Sequence, residues 1–178
     1  MHTQIVITLT GTDRTGIVED LTKRLLDHGG NVETSRMARL GGEFAVLMLV
    51  SLPVEHQAAL ERSIKTLKGQ GFKVTTTRTG QAHAEAHAGW LPYTIEVLGA
   101  DHEGIIHDVA QTLSQRGINI ESMDTGTTQA PNSGATLFSM TALVVIPPGL
   151  MGQGWEAALL EAGNHLQVDI KVSAATKL

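Results

Sequence analysis

The chain has 178 residues, and 13 Lys and Arg against 18 Asp and Glu give a formal charge of −5. That balance excludes a strongly basic protein that holds nucleic acid by phosphate neutralisation alone. Hydrophobic residues at 42% against 17% charged exclude a disordered chain, and the absence of cysteine excludes disulfides, thiolate nucleophiles and Cys-ligated zinc. Two Trp, one Tyr and three Phe leave an aliphatic core with few rings to stack on bases. The first residues carry no basic segment followed by a long apolar one, so no secretory signal is expected. The longest apolar run, residues 44–50, is far short of the roughly 20 needed to span a bilayer. The expected setting is the cytoplasm, in soluble form, with no membrane partner.

Residues 3–10 alternate Ile5, Ile7 and Leu9 against Gln4, Thr8 and Thr10, which predicts a half-buried strand. Ile17, Val18, Leu21 and Leu25 have helical spacing, and Gly29-Gly30 ends that helix. Residues 31–39 predict a second strand and Gly41-Gly42 a hairpin turn. Residues 44–52 predict a third strand, apolar on both faces and therefore central, ended by Pro53. Leu60, Ile64 and Leu67 mark a second helix and residues 72–77 a fourth strand. The order β-α-β-β-α-β is the split ferredoxin-like pattern.

The pattern then recurs. Residues 7–33 lie over residues 95–121 at a shift of 95 − 7 = 88, with Gly11/Gly99, Asp13/Asp101, Gly16/Gly104, Ile17/Ile105, Asn31/Asn119 and Glu33/Glu121 among the identical pairs. Further on the shift becomes 138 − 44 = 94, which places six extra residues between Ser122 and Phe138. Tyr93, Ile95 and Val97 open the second copy, Ile105, Ile106, Val109 and Leu113 form its first helix, and Trp155, Leu159, Ala162 and Leu166 form the stripe of its second. Self-similarity of this kind, in two copies only, indicates a duplicated module rather than a solenoid. The expected organisation is a first module over 1–78, an Ala-, His- and Gly-rich linker over 79–91, and a second module over 92–178. The fold class is α+β, with two antiparallel sheets.

The segments Gly11-Thr12-Asp13-Arg14-Thr15-Gly16-Ile17 and Gly99-Ala100-Asp101-His102-Glu103-Gly104-Ile105, followed by Gly29-Gly30-Asn31-Val32 and Gly117-Ile118-Asn119-Ile120, resemble the loop and strand-opening motifs of ACT domains. The tandem pair, with the Pro- and Gly-containing stretch at 130–138, is similar to ACT-only regulators of the glycine cleavage system. The resemblance implies sensing of a small, glycine-like amino acid at interfaces between modules, without catalysis and without a cofactor or metal. It implies control of a regulatory protein partner, such as the activator of glycine-cleavage genes, rather than direct nucleic-acid binding. An allosteric subunit of an amino-acid metabolic enzyme is the alternative. The residues it points to are Gly11, Asp13, Arg14, Thr15, Gly16, Ile17 and Asn31 in the first copy and Asp101, Gly104, Ile105 and Asn119 in the second.

Independent physical reasons bear on these positions. A Gly-rich turn entering a helix N-terminus presents N–H groups to a carboxylate, and Asp13 or Asn31 can accept from an ammonium. Asp13 and Asp101 equally suit capping of the first helix. Asn31 and Asn119 are ligand amides or left-handed residues closing a helix-to-strand turn. Gly11 and Gly99 read as turn formers, and Asp20, Asp108, Glu33 and Glu121 as solvated or locally paired. The loop has no Lys-Ser/Thr ending, so it is not a Walker A loop. His83 and His87 are too few for a metal site, and His102 and His107 lack a nucleophile partner. Arg14 beside the first loop should attract a carboxylate that Glu103 beside the second repels, so the first copy is expected to bind better. The two-faced third strand predicts that the modules pack together, and sheet edges predict self-association into a homo-oligomer.

Overall fold

A computed structural model describes residues 1–79, 85–131 and 134–176. His83, and Asn132 and Ser133 of the long second hairpin, lie outside the described residues. The chain divides into two compact units, Met1–Ala86 and His87–Leu178. The first contains β1 (His2–Thr12), α1 (Ile17–Asp27), β2 (Asn31–Leu40), β3 (Glu43–Pro53), α2 (Gln57–Lys65) and β4 (Lys73–Arg78). The second contains β5 (Leu91–Ala100), α3 (Ile105–Ser114), β6 (Asn119–Gln129), β7 (Thr136–Ile146), α4 (Trp155–Leu166) and β8 (Val168–Ala174). Each unit is one antiparallel sheet of four strands, ordered β2-β3-β1-β4 and β6-β7-β5-β8. Both are βαββαβ modules of the ferredoxin-like kind.

The alternation in β1 puts Ile5, Ile7 and Leu9 on the helix-covered face, opposite Val50, Met48 and Val46 of β3. Ile17, Leu21 and Leu25, one turn apart along α1, close over them together with Leu60 and Ile64 of α2. Fully burying each such side chain contributes about 1.5–3 kcal/mol. The third strand is central, as its composition predicts, yet its own unit covers one face only. Val46, Met48, Val50 and Leu52 are buried while Leu47 on the opposite face stays 51% exposed. The second unit repeats this core with Ile95, Val97, Val109, Leu113 and Trp155. In α4 the buried stripe uses Gly163 where Ala162 was expected. A Cβ at Gly163 would stand 2.9 Å from Ile170 Cγ1 and 3.0 Å from the Val168 carbonyl, so only glycine lets β8 lie that close.

The local stops are the same in both copies. Gly30 N–H donates to the Leu25 carbonyl and Gly29 N–H to Leu26; Ile118 donates to Leu113 and Gly117 to Ser114. These are Schellman closures with glycine in the left-handed region, at φ 70° for Gly29 and 67° for Gly117. Asn31 and Asn119 therefore do not close the turn as left-handed residues; the glycine two positions earlier does. The hairpins differ as the changed shift predicts. Gly41 and Gly42, both at positive φ, make a two-residue turn, while residues 130–135 separate Gln129 from its partner Thr136.

Candidate functional site

The two loops that enter α1 and α3 are built alike. Each helix starts at a left-handed glycine, Gly16 at φ 87° and Gly104 at φ 97°, and no side chain caps either start. The capping role weighed for Asp13 and Asp101 is therefore not the one they play. Backbone groups pin the loops instead: Asp13 N–H donates to the Gly42 carbonyl at 3.0 Å and Asp101 N–H to Thr136 at 2.9 Å. Gly11 and Gly99 lie inside β1 and β5 rather than in a turn. Their role is close approach, since a Cβ would meet Phe72 Cδ1 at 2.5 Å or Val168 Cγ1 at 2.6 Å.

Side chains of the first loop are engaged within their own unit. The Arg39 guanidinium donates to Asp13 Oδ2 at 2.8 Å. Arg14 Nη2 donates to Asp20 Oδ2 at 2.9 Å and to Gln70 Oε1 at 2.8 Å, and its guanidinium carbon stands 5.4 Å from the centre of the Phe72 ring. Arg14 is thus a strap from the loop to the chain end of the second helical segment, not a free cation. Thr15 and Ile17 flank Gly16; Thr15 is exposed and Ile17 is buried in the core.

The second loop replaces that arginine by His102. Its Nδ1 lies 2.9 Å from the Glu103 carbonyl and its Nε2 2.7 Å from the Leu166 carbonyl. A neutral imidazole carries one N–H, so both carbonyls are satisfied only by the imidazolium. These two backbone bonds, Glu103 first, raise the His102 pKa against a smaller opposing effect of burial, and Asp101 and Asp108 add to the rise. A raised histidine pKa contributes stability that is complete below about pH 6.5 and is lost as pH rises through the folded value. The second unit is therefore expected to melt at a lower temperature at pH 8.5 than at pH 6, with the difference smaller in His102→Ala. Both tryptophans, Trp90 and Trp155, lie in that unit, so their fluorescence reads it selectively.

Among the described residues Asp101 makes no ion pair, in contrast to Asp13, and the charge that acts on it is the neighbouring His102 imidazolium. Asp101 lines a surface recess of about 490 Å³ with His102, Glu103, Gly104, Ile105, Ile106, His107 and Phe138. The exposed carboxylate thus shares the approach to α3 with His102, Glu103 and His107, and Ile105, Ile106 and Phe138 supply the apolar part of the recess.

Neither Asn31 nor Asn119 is brought to the loop of its own unit. Asn31 opens β2 opposite Ser51, and Ser51 faces Gln4, whereas Gly11 faces Phe44. Seven residues of strand separate the two ends, about 23 Å at roughly 3.3 Å per residue. The second unit has the same layout, with Asn119 opposite Val145 and Gly99 opposite Phe138. Each asparagine instead donates to a glutamate two positions on, Asn31 to Glu33 at 3.3 Å and Asn119 to Glu121 at 2.7 Å. Both glutamates sit at a break in strand register, between Val32 and Thr34 and between Ile120 and Ser122. The duplicated Asn-x-Glu is the signature of this β-bulge. A hydrogen bond from Ser51, with Asn31 second, lowers the Glu33 pKa.

Among the described residues, no group of three or more His, Asp and Glu is placed to hold a metal ion, and no helix is long and apolar enough to cross a membrane. Family models of the ACT domain match residues 3–76 and residues 93–147. The solved structure of an unknown protein from Galdieria sulphuraria is 35% identical, covers 99% of this chain and 100% of its own, and superposes with a TM-score of 0.82. A solved structure assigned to a glycine cleavage system transcriptional repressor covers 99% of both chains at 22% identity and a TM-score of 0.70, a likeness of fold. The glycine cleavage system transcriptional repressor of Escherichia coli (strain K12) is 49% identical over 47 residues, 26% of this chain and 25% of that relative. The chain thus aligns with about a quarter of that relative's length. With two ACT models on two βαββαβ units, the chain belongs to the ACT-domain family as a tandem pair.

Proposed function

We propose that this chain is a non-catalytic regulator that senses a small, glycine-like amino acid and controls a protein partner, an activator of glycine-cleavage genes, as the resemblance to ACT-only regulators of that system implies. The observation that carries the reading is the recess at the second loop. There the α3 N-terminus suits a carboxylate, provided that the exposed Glu103 side chain turns away, and Asp101, in no ion pair, suits an ammonium. That arrangement favours the second loop over the first, where Arg39 already occupies Asp13 and Arg14 is tied back. It reverses the preference drawn from charge alone. Asn31 and Asn119 stand too far from the loop of their own unit to join it, so an effector that uses an asparagine draws it from a different copy of the module.

A thermal melt followed by tryptophan fluorescence, with glycine, alanine, serine and glutamate added in turn, tests the reading. A ligand at ten times its dissociation constant stabilises by about 1.4 kcal/mol, a few degrees for a chain of this length. Glycine or a small neighbour is expected to raise the melting temperature of the wild type and of Asp13→Asn, and not that of Asp101→Asn. A shift that circular dichroism, which also follows the tryptophan-free first unit, shows and that Asp13→Asn alone removes assigns the site to the first loop, and no shift by either readout with any amino acid at 10 mM removes the sensing reading. Affinity capture from native lysate with and without glycine then separates a transcription activator from a metabolic enzyme as the partner.

A further inference from the structure

The −5 charge of the chain is unevenly spread. Residues 57–78 carry Arg62, Lys65, Lys68, Lys73 and Arg78 against the single carboxylate of Glu61. The matching segment of the second unit, residues 155–174, carries Glu156, Glu161 and Asp169 against Lys171, and Lys171 is paired with Glu96 at 3.0 Å. Among the described residues none of the five cations on the first unit has a carboxylate partner. The duplicated modules have diverged in charge at this flank while keeping their cores.

The same flank ends in an open strand edge. Among the described residues β4 bonds only to β1 and is the outermost strand of its sheet. Thr79 N–H donates to the Gln4 carbonyl at 3.3 Å, which fixes the alternation: Lys73, Thr75 and Thr77 face β1, while the N–H and C=O of Val74, Thr76 and Arg78 point outward. Beside that edge runs a groove of about 480 Å³ between α2, with Gln57, Glu61 and Lys65, and β4, with Thr76 and Arg78. Arg78 is held over it by Gln57 Oε1, 3.0 Å from Nε and 2.8 Å from Nη2. The groove therefore offers unused backbone groups beside Lys65 and a held Arg78, with Glu61 the one carboxylate in its lining.

We propose that the β4 edge of the first unit is a docking site for an extended acidic segment of a partner protein, which adds as a fifth strand with alternate carboxylates on the helix-covered face, towards Lys65 and Arg78. Backbone pairing to an open edge supplies affinity and the alternate side chains supply selection. Lysine on an edge strand also serves simply to deter self-pairing. That role and the proposed one share a cause, because the charges that repel a second β4 edge attract an acidic strand. Duplex DNA is disfavoured, because the chain outside this flank carries a net negative charge.

The test is fluorescence anisotropy of the full chain with a fluorescein-labelled ten-residue peptide of alternating Glu and Thr. Half-saturation is expected below about 100 µM, weakening steeply with salt. The Gln-for-Glu peptide and a labelled 20-base-pair duplex should bind at least tenfold more weakly. Thr76→Pro removes an outward N–H and no ladder bond, as proline allows on an edge, and should weaken the Glu peptide at least tenfold. Lys65→Glu combined with Arg78→Glu, both at exposed side chains, should do the same, and circular dichroism checks that each variant is folded. Should Thr76→Pro fail to fold, the charge pair decides alone. Absence of binding, binding indifferent to the substitutions, or tighter binding of the duplex overturns the proposal. So does a dimer seen by light scattering that Thr76→Pro dissociates, which gives the edge to a second copy. The glycine melt above reads the other unit, so either result can fail without the other.

Discussion

Gly99→Val is expected to destabilise the second unit by about 3 kcal/mol, at the upper end of overpacking costs. A Cβ at position 99 would meet Val168 Cγ1 at 2.6 Å and the Cα and Cβ of the same residue at 3.0 Å. Cα is backbone of β8 and Val168 is stiff at χ1, so relief requires β8 to move away from β5. That movement opens the pair Gly99–Val168 at the end of the sheet that carries the second loop. The matching change Gly11→Val presses chiefly on the edge of the Phe72 ring, at 2.5 Å and 3.1 Å, and a ring can turn where a strand cannot, so it should cost less. Urea unfolding followed by tryptophan fluorescence reads the Gly99 variant directly. With a slope of about 1–3 kcal/mol per molar, the midpoint should fall by more than about 1 M. A midpoint within 0.3 M of the wild type would mean that β8 yields freely and that Gly99 is held for another reason.

That packing role was not legible in the sequence, although the glycine itself was. The duplication made the fold readable, because each periodic run in one copy could be checked against the other, and Gly16, Gly29, Gly104 and Gly117 fall where a left-handed residue is needed. Partner choice was not readable. Arg39 is 26 positions from Asp13 and reaches it only because the β2–β3 hairpin folds back beside the loop. Asn31 and Glu33 repeat in the second copy, and repetition looks the same whether a ligand or a β-bulge requires it. Arg14 looked like a free cation because its acceptors, Asp20 and Gln70, sit six and 56 positions away. Local spacing reports elements; the use of a charged side chain depends on what tertiary packing sets opposite it.

Arg24→Ala is the change expected to cost the first unit most outside its apolar core, about 3 kcal/mol. Arg24 is mostly buried, with 20% of its side chain exposed. Its Nε donates to Asp20 Oδ1 at 2.9 Å, and its Nη1 to the Ser63 carbonyl at 2.8 Å and to Thr66 Oγ1 at 2.9 Å. Bonds of this charged kind contribute about 1.5–3 kcal/mol each when counted singly, and less than their sum together. They fasten α1 to the end of α2, and through Asp20 they connect to Arg14 and the first loop. Burial alone would raise the Asp20 pKa; the bonds from Arg24 and then Arg14 outweigh it, and the pKa is lowered. A depressed carboxyl pKa contributes stability above its unfolded value near 3.8, lost as pH falls through the folded value. The wild-type first unit should therefore lose stability on acidification below about pH 4, and Arg24→Ala should lose less over the same range because half of the clamp is already gone. At the matching position of the second unit stands Thr112, which donates only to the Asp108 carbonyl at 2.8 Å, so that part of the chain lacks this clamp. Circular dichroism melts between pH 3 and pH 7 of wild type and variant measure both effects, because the first unit holds no tryptophan. Parallel acid slopes in the two proteins would show that the Arg24–Asp20 pair is not what titrates, and a cost below 1 kcal/mol would show that Ser63 and Thr66 find water as good a partner as the guanidinium.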